Sequence, residues 1–397
     1  MKILHTSDWH LGAKTDRRNR LEEQTRVMSE IVAIADEKDV DIVIISGDVY
    51  DNAVPTSDAE ELFINTIEKL SANNNRVVIA FAGNHDDPKR LTANRHFAKK
   101  HNIVLSGDFK IDLDDSVEGK NRIDEVGEGY VIISKGEGKQ QERCVVGILP
   151  YPVDYRLNYK TEAESYSEKV KEWSKLVCKG FKRNAFNILA THLTLVGSDT
   201  EEDCDFRTVK ISEAGVVKKG DLPKADYYAL GHIHSKQDIT NAMCYCGAPL
   251  KYSYIQRSAS VNLVTSTADG KLESVEQINL KTPARMERVV ANGIEEVSSK
   301  LDYFSNEDIV ELTIVQDKPL SSMQVKELKE NFPCILQVKL KLTNLEVDEN
   351  VYISNRDKLS AKDLFVNFYK AKKCTEPQNE LTDLFVELME DKTSETN

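Results

Sequence analysis

No run in this sequence approaches the roughly 20 apolar residues that would cross a bilayer. The start, Met1-Lys2-Ile3-Leu4-His5 with Asp8 close behind, has no apolar signal-peptide core either. A membrane protein is excluded, and a cytoplasmic location is the expectation. Cysteine is sparse as well: the seven are odd in number and scattered. Cys244 and Cys246 have one residue between them, and no second Cys/His pair follows at zinc-finger spacing. Free, buried thiols are therefore expected. Positive charge is short too, with 53 Lys and Arg against 66 Asp and Glu and a net charge of −13. That is awkward for a protein that binds nucleic acid alone. It suits one that gathers carboxylates around metal ions or works beside a basic partner. There is also no internal repeat.

What remains is the profile of a soluble globular chain, 40% apolar and 30% charged. At 397 residues, two or three domains are expected. The organising stretch is Val77 to Ala82 followed by Gly83-Asn84-His85-Asp86. A short apolar run closed by Gly and polar residues reads as a buried parallel strand ending in a loop. In open α/β sheets, ligands bind beyond the carboxyl ends of such strands.

Other stretches repeat the pattern. Lys2 to Thr6 and Asp41 to Ser46 read as strands, with helices over about 21–36, 57–70 (Ser57 as cap) and 88–100. Residues 107–142 are Gly- and Asp-rich and read as a hairpin excursion. Strands at Cys144 to Leu149, Asn187 to Ala190 and Tyr227 to Leu230 follow, with a helix over Ser165 to Cys178. A boundary falls near Lys281-Thr282-Pro283. Beyond it strands and helices alternate, and Leu336, Val338, Leu340 and Leu342 share one strand face opposite Gln337, Lys339 and Lys341. That is a small α+β domain. Near the end, Leu381, Leu384, Phe385, Leu388 and Met389 form one helical stripe. Such a stripe suits packing on its own domain or docking on a partner.

Five loops each follow an apolar strand and carry metal-capable side chains: Asp8 with His10, Asp48 with Asp51, Asn84 with His85, His192, and His232 with His234. Any one is an ordinary turn; five at strand ends are not an accident. Mixed imidazole, carboxylate and amide donors suit Mn, Fe or Zn rather than an all-oxygen Mg or Ca cage. The donors exceed the needs of one ion, and a pair about 3.5–4 Å apart with a shared carboxylate would use them all. The i, i+2 pairs Asp8/His10 and His232/His234 would point to one side in extended chain.

Asp8-x-His10, Gly47-Asp48-x-x-Asp51, Gly83-Asn84-His85-Asp86, Thr191-His192 and Gly231-His232-x-His234 resemble the five motifs of the calcineurin-like metallophosphoesterases, in order. Ile3 to Gly12, Gly247 to Ser253 and the ending around Leu364-Phe365 and Phe368-Tyr369 look more narrowly like the nuclease subunits of bacterial break-repair complexes. After Tyr252-Ser253, the segment Tyr254 to Ser258 lacks the acidic residue expected of that subfamily.

The resemblance implies an α/β (α+β) fold: a two-sheet sandwich flanked by helices over 1–280, an α+β capping domain over 284–345, and helices over 360–391 that bind an ATPase partner. It implies that Asp8, His10 and His234 hold one cation, that Asn84, His192 and His232 hold another, and that Asp48 bridges them. The ions would be manganese. His85 would be the unligated general acid that protonates the departing sugar oxygen, with Asp51 orienting its ring and favouring the charged form.

It implies as well a DNA exonuclease and endonuclease working with an SMC-like ATPase, as a homodimer within a heterotetramer. From the residues themselves, Lys14, Arg17, Arg18 and Arg20 suit phosphate contacts or a solvated basic loop equally well, and Leu62, Phe63, Ile67, Leu91 and Phe97 suit a dimer surface or core burial equally well. A phosphatase or small phosphodiesterase is the alternative, but there Arg-Gly follows the second Asp, where this chain has Asn52-Ala53. A scaffold with a dead site is a third reading, and the full ligand set speaks against it.

Overall fold

The Val- and Ile-rich runs become the centre of the molecule. In the computed structural model, Ile42–Ser46 and Val77–Phe81 are strands with every residue buried. This is the mark of a parallel sheet covered on both faces. The structure describes residues 1–343 except 17, 112–118, 139–140, 158, 160, 199–214, 257 and 282–283; beyond 343 it describes 362, 365–366, 369, 377 and 381–386. It divides into two units, Met1–Pro283 and Ala284–Asn397.

The first unit holds two sheets. One has the strand order Leu272–Asn279, Ser260–Ser266, Lys2–Thr6, Ile42–Ser46, Val77–Phe81, Ile103–Ser106. The other runs Gln237–Thr240, Met243–Tyr245, Tyr227–Gly231, Phe186–His192, Glu142–Leu149, Tyr130–Lys135, Asn121–Gly127. Alternation along the strands decides what each face meets. Ile3, Ile42, Ile44, Ile79 and Phe81 point into a core shared with Val146, Ile148, Ile188 and Ala229 of the second sheet. Leu4, Val43, Ile45 and Val78 point the other way, onto Val27, Ile31 and Phe63 of the helices Leu21–Glu37 and Ser57–Ser71. The helix Tyr166–Val177 covers the second sheet through Val170, Trp173 and Val177. The result is a four-layer sandwich, helix, sheet, sheet, helix.

Several local expectations need correction. The cap of the second helix is Thr56, whose side chain accepts from Ala59, not Ser57. The expected helix over 88–100 is broken into Pro88–Leu91, Arg95–Ala98 and a 3₁₀ turn. Thr92 bends its hydroxyl back to the Pro88 carbonyl at 2.8 Å, the local competition that makes Thr a poor helix interior. The described part of 107–142 is no excursion. Its hairpin Asn121–Gly127/Tyr130–Lys135 closes the edge of the second sheet. The strand Ile103–Ser106 escaped the sequence reading because three apolar residues after a helix carry no period. The five described cysteines are all free.

In the second unit the strands Met286–Asn292, Ile309–Gln316 and Ile335–Leu342 are all parallel, joined through the helices Val297–Leu301 and Ser322–Asn331. One sheet face packs Leu312 and Ile314 on Val297, Leu301 and Leu328. The other carries Glu311 between Arg288 (2.9 Å) and Lys339 (2.7 Å). In the terminal stripe, Phe385 stacks on Phe365 with ring centroids 4.2 Å apart, while Leu381 and Leu384 are exposed. Leu388 and Met389 lie outside the described residues. Among the described residues, no helix is long and apolar enough to cross a membrane.

Candidate metal centre

The five loops all leave the carboxyl ends of parallel strands, three from the first sheet and two from the second. They are not extended. The backbone is left-handed at Asp8 (φ 55°), His10 (φ 45°), Asp48 (φ 48°) and His232 (φ 99°). The i, i+2 pairs therefore meet through tight turns and not through the extended chain expected from the sequence. Such a conformation costs a non-glycine residue about 1–3 kcal/mol and persists only where its surroundings enforce it.

The enforcing bonds are present. Asp8 N–H donates to the Gly47 carbonyl and His10 N–H to the Asp48 carbonyl, both at 3.0 Å. The Asp86 carboxylate, fully buried, accepts from the N–H groups of Val49 (3.1 Å), Tyr50 (2.9 Å) and Gly83 (2.9 Å). His232 N–H donates to the Asp8 carboxylate at 3.1 Å and His85 N–H to Asp48 Oδ1 at 2.9 Å. Each loop thus holds the next. Glycine is needed where they touch: a Cβ on Gly83 would sit 2.1 Å from Asp48 Oδ1, and one on Gly231 1.8 Å from the Ser46 carbonyl oxygen.

The side chains converge in three clusters, one of which, His10, Asp51 and His85, shares His10 with the first of the two described next. Asp8, His10 and His234 bring donor atoms within 4.8 Å of one another, and so do Asp48, His192 and His232. Asp48 Oδ2 faces both, 3.7 Å from His10 Nε2 and 3.2 Å from His192 Nε2. Asn84 Oδ1 joins the second cluster, 2.9 Å from His192 Nε2 and 2.9 Å from His232 Nδ1.

The pattern of lone pairs tests whether cations fit. His192 Nδ1 lies 2.8 Å from the Ser46 carbonyl, so Nδ1 carries the proton and Nε2 presents a lone pair. That lone pair faces the oxygens of Asp48 and Asn84, three acceptors around one point. His10 Nε2 and His234 Nε2 face each other at 3.0 Å. Protons can satisfy these contacts, and so can divalent cations, which the mixed imidazole, carboxylate and amide donor set fits.

The calcineurin-like phosphoesterase family model matches residues 1–236. The chain belongs to this family. It is accordingly a metal-dependent hydrolase of phosphate esters. The chain is also similar to the SbcD subunit of the SbcCD nuclease of Bacillus subtilis (strain 168), 28% identical over 405 residues that cover 98% of this chain and 97% of the relative.

The electrostatics of this phosphoesterase favour ligation. Burial holds the His10 imidazole well below its ordinary pKa, helped by His85 nearby. Burial and the neighbouring His192 push His232 down to about 3. Both are therefore neutral and available as donors. Burial works against charge on His192 too, but Asp48 beside it overrides this and raises its pKa to about 9. A cation would take the place of that proton. For His85, burial is again outweighed by Asp48 and by the bond to Asp51, so its pKa lies above the ordinary value.

The Asp51 contact differs from expectation. His85 Nδ1 donates to the main-chain carbonyl of Asp51 at 2.7 Å, while the Asp51 carboxylate sits 3.7 Å from His10 Nδ1. Asp51 orients the ring through its backbone, which no motif could reveal.

Arg20 is fully buried, paired with Glu23 at 2.7 Å and bonded to the Lys251 carbonyl. It cannot reach a phosphate and is structural; Arg17 lies outside the described residues. Four further residues at the site have no role that the sequence reading supplies. Asp86 ties the loops. Tyr252 bonds the Trp9 carbonyl and lies against the His10 ring. Tyr151 lies near His192 and His232. Arg156 donates to the carbonyls of Gly83 (2.5 Å) and Asn84 (2.9 Å). The Gly83-Asn84-His85-Asp86 and Gly247-to-Ser253 motifs already contain Asp86 and Tyr252. Nothing local marks Tyr151 or Arg156.

Proposed function

We propose that this chain is a Mn-dependent DNA nuclease, a 3′-5′ double-strand exonuclease and a single-strand and hairpin endonuclease. It would act as the nuclease component of an SbcCD-type complex with an SMC-like ATPase, in recombination, repair and replication. The observation that carries the reading is the convergence of five loops on adjacent donor clusters, with Asp48 Oδ2 facing both His10 and His192. The near full-length similarity to a nuclease subunit supports it.

Asp8, His10 and His234 would hold one cation and Asn84, His192 and His232 the other, with Asp48 between them. When bound, the pair supplies Lewis-acid stabilisation of charge on the phosphoryl oxygens and lowers the pKa of water. The protein's own groups do the rest. Ser46 fixes the His192 ring through Nδ1, and Asp86 holds the Asp48 loop against the Asn84 loop. His85, its ring held through Nδ1 by the Asp51 carbonyl, would hand a proton to the departing sugar oxygen.

The ATPase partner and the terminal helical segment that would dock on it are part of the same proposal. A cytoplasmic setting follows from it. The homodimer and heterotetramer rest on resemblance, because Phe63, Ile67 and Leu91 are core residues and only Phe97 of that set is well exposed. Light scattering at micromolar concentration decides the dimer.

The function is tested by co-purifying the chain with its ATPase and following Mn-dependent cleavage of a labelled duplex with and without ATP. Cleavage of the duplex supports the reading. Turnover of p-nitrophenyl phosphate without any cleavage of DNA would make the protein a phosphatase.

A further inference from the structure

Beside the metal centre runs a groove of about 590 Å³. It begins at Asp87 and Pro88, two residues past His85. Four cationic side chains line it, Lys89, Arg95, Lys110 and Arg156, together with Tyr155, a residue that is 79% exposed. Two carboxylates also face it, but each is engaged by backbone. Asp87 Oδ1 accepts from Arg90 N–H at 2.8 Å, and Asp108 Oδ1 accepts from Lys110 N–H at 2.8 Å. In a chain with a net charge of −13, a groove with an excess of cations stands out.

The groove is wired to the chemistry. The Arg156 guanidinium is fixed by the carbonyls of Gly83 and Asn84, the turn that carries the general acid. It lies 5.5 Å from the ring centroid of Tyr151 and 5.8 Å from that of Tyr155. Tyr151 in turn lies 6.2 Å from the His192 ring and 6.3 Å from the His232 ring. An unbroken ladder of rings and cations therefore leads from the clustered imidazoles to an exposed tyrosine. Alternating cations and open aromatic faces are the chemistry of single-strand binding, where phosphates meet Lys and Arg and bases stack on rings. A paired base has both faces covered by its neighbours, so an exposed ring selects unpaired nucleotides. A volume on the scale of a drug-sized ligand admits roughly one or two nucleotides and no duplex.

We propose that this groove binds the unpaired strand flanking the scissile phosphate, on the side of the leaving group, with a base stacked on Tyr155. The side follows from His85: the acid faces the departing oxygen, and the turn that bears it opens into the groove. This rests on the nuclease reading above.

The test is fluorescence anisotropy with a labelled 15-nucleotide oligo-dT and the full chain, in EDTA to halt cleavage. Tyr155→Ala is expected to weaken binding about 5- to 100-fold, the worth of one stacked base. Tyr155→Phe keeps the ring and should bind within about 2-fold of the parent. Lys110→Ala should lower the slope of log affinity against log salt by about 0.7, one phosphate contact on a single strand. The Tyr155→Ala loss should be larger for the single strand than for a blunt 15-base-pair duplex. Equal losses on both, or a Tyr155→Phe variant as weak as Tyr155→Ala, would overturn the stacking site. So would parental affinity in Tyr155→Ala, provided the parent chain binds and cuts DNA. A parent that hydrolyses bis(p-nitrophenyl) phosphate but neither binds nor cuts DNA would instead sink the nuclease reading.

Discussion

The two sheets of the first unit contribute unequally to the centre. The first supplies the buried carboxylates of Asp8 and Asp48, together with Asn84, His10 and His85. The second supplies imidazoles alone, His192, His232 and His234. Carboxylates bring the negative charge that attracts any divalent ion; imidazoles narrow the choice toward transition metals. Two of the clusters draw on both sheets, since His234 completes Asp8 and His10 while His192 and His232 complete Asp48 and Asn84. Neither sheet alone supplies the cluster around Asp8 or the one around Asp48. The two mixed clusters come together only once the intersheet core has packed.

The sharpest way to break this picture is Asp48→Ala, because Asp48 Oδ2 faces His10 and His192 alike. Metal analysis should find both ions lost, with phosphodiester hydrolysis reduced on the order of 10⁴-fold or more. A variant that still holds two ions would mean that the two halves are independent. Next comes His85→Ala, expected to keep both ions while kcat falls about 10²- to 10⁴-fold. Its pH profile carries a sign. The acid works protonated, so activity is present below its pKa and lost as pH rises through it. Because that pKa lies above the ordinary 6.5, the alkaline limb should lie above that pH, and it should disappear in His85→Ala.

A third pair of variants separates the two packing layers. Phe81 lies in the intersheet core, one residue before the turn that bears Asn84, whereas Met28 lies in the outer helix layer. Both are fully buried, and truncation to Ala should cost about 3–5 kcal/mol at Phe81 and about 2–5 kcal/mol at Met28 in denaturant unfolding. Only Phe81→Ala should also weaken metal affinity. Equal effects on metal would mean that the intersheet layer has no special hold on the centre.

Much of this arrangement was legible in the sequence, and the reasons are local. A parallel strand buried on both faces reads as an unbroken apolar run, and ligands at its carboxyl end follow directly, as Ile42 to Asp48 illustrates. What escaped depends on contacts distant along the chain. The four left-handed residues cannot be inferred from spacing, because bonds between loops impose them. The Asp51 carbonyl is invisible to any reading of side chains. Arg20 looked like a solvated cation beside Lys14, yet a bond to Lys251 and a neighbouring Glu23 bury it. Phe63 and Leu91 looked like an interface because a helix stripe does not say which layer will cover it.

The second unit provides the mildest contrast. Glu311 is buried on its open sheet face, but its partners Arg288 and Lys339 are about half exposed. In Glu311→Gln both cations can turn to water, and the amide still accepts one hydrogen bond. The expected loss is about 1 kcal/mol in unfolding, the scale of exposed ion pairs. At the metal centre, by contrast, His10 and His192 beside Asp48 are buried, so the same loss of charge cannot be met by turning them to solvent. A penalty above about 3 kcal/mol for Glu311→Gln would place it in the same class as Asp48. Cost would then follow the burial of the carboxylate itself, not the freedom of its partners.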